Sequence, residues 1–249
     1  MCYNSIIDKK IPCSFILMNN KSQKSYELVL KKLYNIITFE DSKALKLISI
    51  TSDFEKGLIN AIKTVFKKTR HVGCFFHYVK NVRLNMLKIG LLSDDVKNIS
   101  VNLLNRLAKI PFLINNNIDI IKEIFKEYDK IYHNLKLTVK FKIFRDYFIT
   151  TWSEYFETGS LNYIYLNKKQ RSNFYLENYN RRIREILGPF LTKRGRSIIP
   201  WPLFLVFINN EENHFRIIVT KNLCEEPIKS KDNDFIEIEN LTDNTLSLM

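Results

Sequence analysis

Only four cysteines occur in 249 residues, Cys2, Cys13, Cys74 and Cys224, and their spacing forms no disulfide framework. That excludes a small secreted scaffold held by disulfides and indicates a reducing compartment, cytosolic or nuclear. Long apolar runs are also missing: no stretch approaches the roughly eighteen residues that a membrane span needs. The start, Met1 to Lys10, lacks the charged beginning and apolar run of a secretory signal. These absences point to a soluble, intracellular chain with no membrane partner. No internal repeat is present. Acidic residues are scarce over most of the length. Lys and Arg number 39 against 26 Asp and Glu, a formal net charge of +13. Residues 221–249 hold three Lys/Arg and seven Asp/Glu, a net of −4, which leaves +17 on the other 220 residues. A basic body suits a polyanion, through phosphate neutralisation and counterion release. The same composition also arises where Lys and Asn are simply common and the lysines solvate helices.

With 45% hydrophobic residues the chain has the material for a real core, in one large domain or a domain with an insertion. The apolar run Ile11 to Met18 reads as a strand. Ser22 is placed to cap a helix carrying Tyr26, Val29, Leu30, Leu33, Ile36 and Ile37 at helical spacing. Leu45 to Thr51 reads as a strand, Leu58, Ile62, Val65 and Phe66 as a helical stripe, and Arg70 to Cys74 as a short strand. The next helix carries Val79, Val82, Leu84, Met86 and Leu87. Strands alternating with helices predict βαβ units and a layered α/β domain. After about Ser93 the texture becomes helical, with Leu103, Leu104, Leu107, Ile120, Ile121, Ile124, Phe125, Tyr128, Phe141, Phe144, Tyr147 and Phe148 in register and Asn115-Asn116-Asn117 as a turn. A helix over 173–187 stops at Gly188-Pro189. A last helix, Leu203 to Ile217, begins at Pro200 or Pro202, and the acidic tail has the composition of a disordered segment.

Four features carry chemistry. Asp53 stands where an apolar, β-branched strand ends and a helix begins, the edge at which open α/β sheets place ligands. A carboxylate there suits Mg²⁺, which prefers one or two protein carboxylates plus phosphate oxygens; the position equally suits an N-cap. Glu177 shares a helix face with Asn173, Asn180, Arg181 and Arg184, beside the apolar stripe of Leu176, Tyr179, Ile183 and Ile186. That face can hold a metal and grip phosphates, or the glutamate can simply pair with Arg181 at i,i+4. Cys74 and His77 form C-x-x-H, half the donor set of a zinc site; with no matching spacing elsewhere, no zinc is expected, and a buried pair joining strand end to helix start accounts for them. Residues 168–198 hold nine basic residues, among them Lys168, Lys169, Arg171, Arg181, Arg184, Lys193, Arg194 and Arg196, against Glu177 and Glu185, a net of +7. With Tyr175 and Tyr179 interleaved, this is a nucleic-acid-binding pattern, or a solvated helix face.

Taken in order, these segments resemble the transposase domain of Mutator-like elements, the MULE family. The resemblance rests on Ile11-Pro12 through Asn20-Lys21-Ser22 and Tyr26, on Ser52-Asp53-Phe54-Glu55 with Ala61, on Cys74-x-x-His77, on Trp152, and on Arg171-Ser172-Asn173 with Leu176-Glu177 and Asn180. It covers about residues 5 to 215. It implies an α/β class with a ribonuclease-H-like mixed sheet flanked by helices and interrupted by an all-helical insertion. The corresponding division is 1–92 for the first part of the core, 93–165 for the insertion, 166–220 for the core helices bearing the final glutamate, and 221–249 for the acidic tail.

The resemblance further implies a DDE nucleotidyl transferase acting on DNA with Mg²⁺ or Mn²⁺, in which Asp53 and Glu177 are catalytic metal ligands. It places the chain in the nucleus, where Lys193-Arg194-Gly195-Arg196 is the nearest approach to a localisation cluster, and is compatible with a homo-oligomer. The family's first aspartate lies upstream of the Ile11 strand, so the chain reads as N-terminally truncated; Asp8, in Asp-Lys-Lys, is a poor replacement. The expectation is therefore a partial or inactive transposase domain. The alternative is a non-catalytic DNA-binding or assembly module derived from one.

Overall fold

The computed structural model describes residues 2–4, 9–11, 14–16, 18, 20–39, 49–113, 117–164, 166, 171, 174–187 and 201–224. They divide into two compact units, one of residues 20–171 and one of residues 2–18 with 174–224. Among the described residues no helix is long and apolar enough to cross a membrane.

In the larger unit, helix α1 (Gln23–Phe39) starts where the sequence predicts. Ser22 Oγ accepts the Ser25 N–H at 3.2 Å, satisfying a donor that the first helical turn leaves open, and Asn20 Oδ1 accepts from Ser22 N–H and Ser25 Oγ. Strand β3 (Ser49–Ser52), helix α2 (Lys56–Val65) and strand β4 (Arg70–Gly73) follow. β3 and β4 pair in parallel, Ser49 opposite Arg70 and Ser52 opposite Gly73, with α2 as the crossover that parallel strands require. α2 buries Ile59, Ala61 and Ile62 and lies along α1.

Helix α3 (Phe75–Ile89) begins directly after β4. Its core face is Tyr78, Val82 and Met86 at i,i+4 spacing, whereas Leu84 and Leu87, expected in the stripe, are exposed. Gly90 ends it at φ +79°, and Leu91 N–H bonds back to Met86 O, the left-handed stop that glycine adopts without strain. Helices α4 (Lys97–Lys109), α5 (Asn117–Asn134) and α6 (Thr138–Glu157) complete the unit. On α6, Phe141, Phe144, Phe148, Trp152 and Phe156 are all buried. They meet Leu103 and Leu107 of α4, Phe125 and Tyr132 of α5, and Tyr78 of α3 in one continuous core that also includes Val72 of β4. Of the turn expected at Asn115-Asn116-Asn117, only Asn117 is described, and it opens α5.

In the smaller unit, strands β1 (Cys2–Asn4) and β2 (Lys9–Ile11) form an antiparallel pair, and helices α7 (Phe174–Leu187) and α8 (Trp201–Cys224) share a small core of Tyr179, Phe204 and Phe207, with Phe15, Ile183 and Ile208 against it. Three expectations need correction. Among the described residues of the strand read over Ile11 to Met18, Ile11 is paired, and residues 14–16 and 18 have no regular structure. α8 runs 24 residues, well beyond the Leu203–Ile217 stripe. Leu176 of α7 is exposed rather than core. The α/β class holds with helix predominating, and the described strands form two two-stranded sheets. The acidic tail and the Lys193–Arg196 loop lie outside the described residues.

Two substitutions test this packing. Trp152→Ala should cost about 3–5 kcal/mol in urea unfolding, since it empties a large buried site. A methyl added at Gly73 would meet the Phe54 ring at 2.5 Å. Gly73→Ala should therefore cost about 1–3 kcal/mol, and Gly73→Ala with Phe54→Leu should be less destabilised than the sum of the two single changes.

Candidate functional site at the end of strand β3

Asp53 follows the last residue of β3 and is half-buried between two anchored neighbours. Before it, Ser52 is buried, and its Oγ donates to Asp53 O at 2.8 Å. After it, Phe54 turns inward to meet Trp152 edge-on at 4.8 Å and Tyr155 at 4.9 Å. Alternate residues at a strand end point to opposite faces, so seating Ser52 and Phe54 leaves Asp53 directed away from them. Its Oδ1 accepts the Glu55 N–H at 3.3 Å, an Asx-type turn leading into α2. The N-cap position itself belongs to Glu55, which corrects the alternative reading of Asp53 as the cap. Among the described residues Oδ2 of Asp53 accepts no hydrogen bond. Glu55 is already engaged, by Tyr26 OH at 2.9 Å and Lys21 Nζ at 3.7 Å. Burial, then the bond to Glu55, pushes the Tyr26 hydroxyl up to about 12.

Behind the carboxylate lies a buried histidine that the sequence did not single out as a site. His71 sits in β4 beside Ser52, its Nε2 2.9 Å from Ser52 Oγ and its Nδ1 3.3 Å from Ser160 Oγ. Burial lowers its pKa to about 4; Lys63 acts in the same direction and Asp53 against it. The ring is therefore neutral at pH 7. The Ser52 hydroxyl donates to the Asp53 carbonyl, so Nε2–H completes the chain by donating to Ser52 Oγ. The backbone of Asp53 is thus tied through Ser52 and His71 to the turn after α6.

Cys74 is fully buried and occupies the N-cap position of α3, with His77 in the first turn and partly buried. C-x-x-H therefore joins strand end to helix start, as expected. Among the described residues no three His, Cys, Asp or Glu side chains gather as a metal cluster. Trp152 lies in the core, between Phe54 and Tyr78, with the Tyr78 ring 5.0 Å away. Arg171 is half-buried: its Nε donates to Leu166 O at 2.8 Å and its guanidinium lies 5.0 Å over the Phe112 ring, while its carbonyl accepts Phe75 N–H.

In the smaller unit the backbone of Glu177 and Arg184 lies in α7, but their side chains are outside the description, as are Asn173, Lys168, Lys169, Lys193, Arg194 and Arg196 altogether. Asn180 and Arg181 are exposed, and Arg181 pairs with Glu185 at 3.6 Å. Glu211 of α8 is a buried carboxylate with no signal in the sequence beyond its place in an apolar helix. It pairs with Arg182 at 2.8 Å, and burial first, then the nearby Glu211 carboxylate, raise the pKa of the Tyr179 hydroxyl.

Residues 3–81 match the family model of the MULE transposase domain, which bears out the resemblance over that stretch. The matched stretch contains Asp53, Cys74 and His77 and ends within α3. Comparison with curated proteins and with solved structures gives no match.

The histidine sets a pH dependence. In the unfolded chain His71 titrates near about 6.5, whereas in the folded protein it protonates only near 4. Between these values the unfolded chain binds the extra proton, so stability falls as pH drops from about 6.5 and levels off below about 4. The loss attributable to His71 is about 3 kcal/mol. Urea midpoints for wild type and His71→Gln across that range should converge as pH falls; parallel curves would refute the assignment. Glu211→Leu should change stability by less than about 1 kcal/mol, because it removes a buried carboxylate and strands only the exposed Arg182, read from α7–α8 protection in hydrogen exchange.

Proposed function

We propose that this chain contains a MULE-type transposase domain of the DDE class with a ribonuclease-H-like core, which binds DNA and takes part in metal-dependent cleavage and rejoining of DNA ends. The match over residues 3–81 carries the proposal, because it places the family's likeness on the segment that presents Asp53. Asp53 and Glu177 are the proposed ligands for Mg²⁺ or Mn²⁺. Asp53 suits that role on its own chemistry: it is a hard oxygen donor at a strand end, held in place on both sides, with Oδ2 not hydrogen-bonded among the described residues. A bound divalent cation supplies Lewis-acid polarisation of the phosphodiester and of the attacking oxygen. The chain's own part is to hold the carboxylate at a fixed point. Ser52 and His71 restrain its backbone, Phe54 locks the turn against α6, and Glu55 stays out of the site by bonding Tyr26 and Lys21.

DNA is the proposed partner, contacted through the basic residues around α7 together with Lys168, Lys169, Lys193, Arg194 and Arg196. A nuclear location accompanies that reading. Glu177 supplies the second carboxylate, and the side chains of Arg181 and Arg184 on the same helix compensate the charge of DNA phosphates.

A divalent-metal titration followed by thermal unfolding tests the metal site. At about 100 times the dissociation constant, a cation bound only by the folded state adds about 2.7 kcal/mol, equivalent to a rise of about 5–10 °C for a chain of this size. Wild type should show this rise with Mn²⁺, and Asp53→Asn and Glu177→Gln should each lose most of it. Equal responses in all three proteins would leave the non-catalytic DNA-binding module as the function.

A further inference from the structure

The helix pair α1–α2 carries a second, separate concentration of positive charge, at some distance in sequence from the arginine-rich helix α7. The two helices run side by side in the same direction. Near their starts Asn60 Nδ2 donates to Gln23 Oε1 at 3.3 Å, and toward their ends Tyr34 meets Phe66 edge-on at 5.5 Å. Each presents a lysine row to solvent. On α2, Lys56 and Lys63 are seven residues apart and therefore on one face, with Asn60 between them and Lys67 just beyond the helix end; all are exposed. On α1, Lys24 and Lys31 share a face in the same way and Lys32 lies beside it, again all exposed. α2 contains no acidic residue, and α1 contains only Glu27, whose carboxylate accepts from Gln23. Glu55, at the near end, is taken up by Tyr26 and Lys21.

From this arrangement we infer that the solvent face of α1 and α2 is a docking surface for the sugar-phosphate backbone of duplex DNA, with the α2 row beginning three residues after Asp53. The dimensions agree. Within a row the lysines are about 10 Å apart along the axis, and packed helices lie about 8–10 Å from each other, between the widths of the minor and major grooves at about 6 and 12 Å. Two rows of flexible cations at that separation reach phosphates on both sides of a groove. The surface does not suit a membrane, whose interfacial helices need a continuous apolar face; the α2 row is wholly polar, and on α1 the exposed Leu28 and Ile36 stand two turns apart. The inference rests on DNA being the partner proposed above and not on the metal site.

The test is DNA binding by the full chain without divalent metal, measured as anisotropy of a labelled short duplex over about 50–200 mM salt. One variant replaces Lys24, Lys31, Lys32, Lys56, Lys63 and Lys67 by Gln. A charge-matched control replaces Lys88, Lys97, Lys109, Lys126, Lys130 and Lys142, which are exposed on α3 to α6. The α1–α2 variant should bind at least about tenfold more weakly, with the log–log salt slope shallower by about three to five, since each phosphate contact contributes about 0.9. The control should keep the wild-type slope, and both should melt with wild type. Equal losses in the two variants, or no loss in the first, would overturn the surface while leaving DNA as a partner. Failure of wild type to bind DNA at the lowest salt would overturn both readings. A loss of binding to anionic phospholipid vesicles with DNA binding intact would reassign the surface to a membrane.

Discussion

The Phe54 ring is the contact on which the rest of the larger unit depends. It lies one residue from Asp53, over the backbone of Gly73, and between Trp152 and Tyr155 of α6. Through it the βαβ segment and the helices that follow share one core. Edge-to-face aromatic contacts of this kind add about 0.5–1.5 kcal/mol each beyond the area they bury, and here they also fix direction. Gly73 has to lack a side chain so that the edge of the ring can approach β4, and the ring has to lie there for the carboxylate beside it to point elsewhere. The helices of residues 93–157 are therefore part of what orients the strand end, rather than an appendage to it.

Polar contacts finish the same junction. Gly73 N–H donates to Ser160 O at 2.8 Å and Gly73 O accepts from Tyr163 OH at 2.7 Å, so the turn after α6 bonds the edge of β4 in place of another strand. Arg70, at the start of the strand, donates to the carbonyls of Gly159 and Asn162. His71, between them, bonds inward to Ser52 and Ser160. Four consecutive positions of β4 thus serve two purposes: Val72 fills the core, and its neighbours bind the turn.

Much of this was legible in the sequence where a local rule applies. Ser22 capped its helix because a hydroxyl before an amphipathic run meets an open N–H, and the α6 stripe was readable because phenylalanines three and four apart can only share one face. The strand ending at Asp53 and the burial of Cys74 followed from the change of period at Thr51 and again at Gly73. What escaped depended on partners distant in sequence. Ile11 to Met18 has strand composition, but a strand needs a ladder, and among the described residues of that run only Ile11 has one. Leu84 and Leu87 have the right chemistry and the wrong angle around α3. His71 and Glu211 are buried polar groups whose acceptors and donors come from other elements, so nothing near them in the sequence announces their role. At the candidate site, Asp53 was legible from its position alone, whereas the restraint placed on it by Ser52, His71 and Phe54 was not.

The bonds to β4 also impose an order on biosynthesis. Tyr163 is 90 residues beyond the Gly73 carbonyl it holds, and Trp152 is almost a hundred beyond Phe54. At a synthesis rate of about 5–20 residues per second, roughly 4–18 s separate the emergence of the strand pair from the arrival of the residues that close it. Throughout that interval the nascent chain carries an uncovered strand edge and an unseated phenylalanine. The ribosome-bound βαβ segment thus exposes, for those seconds, the kind of surface that makes partly folded chains prone to aggregate.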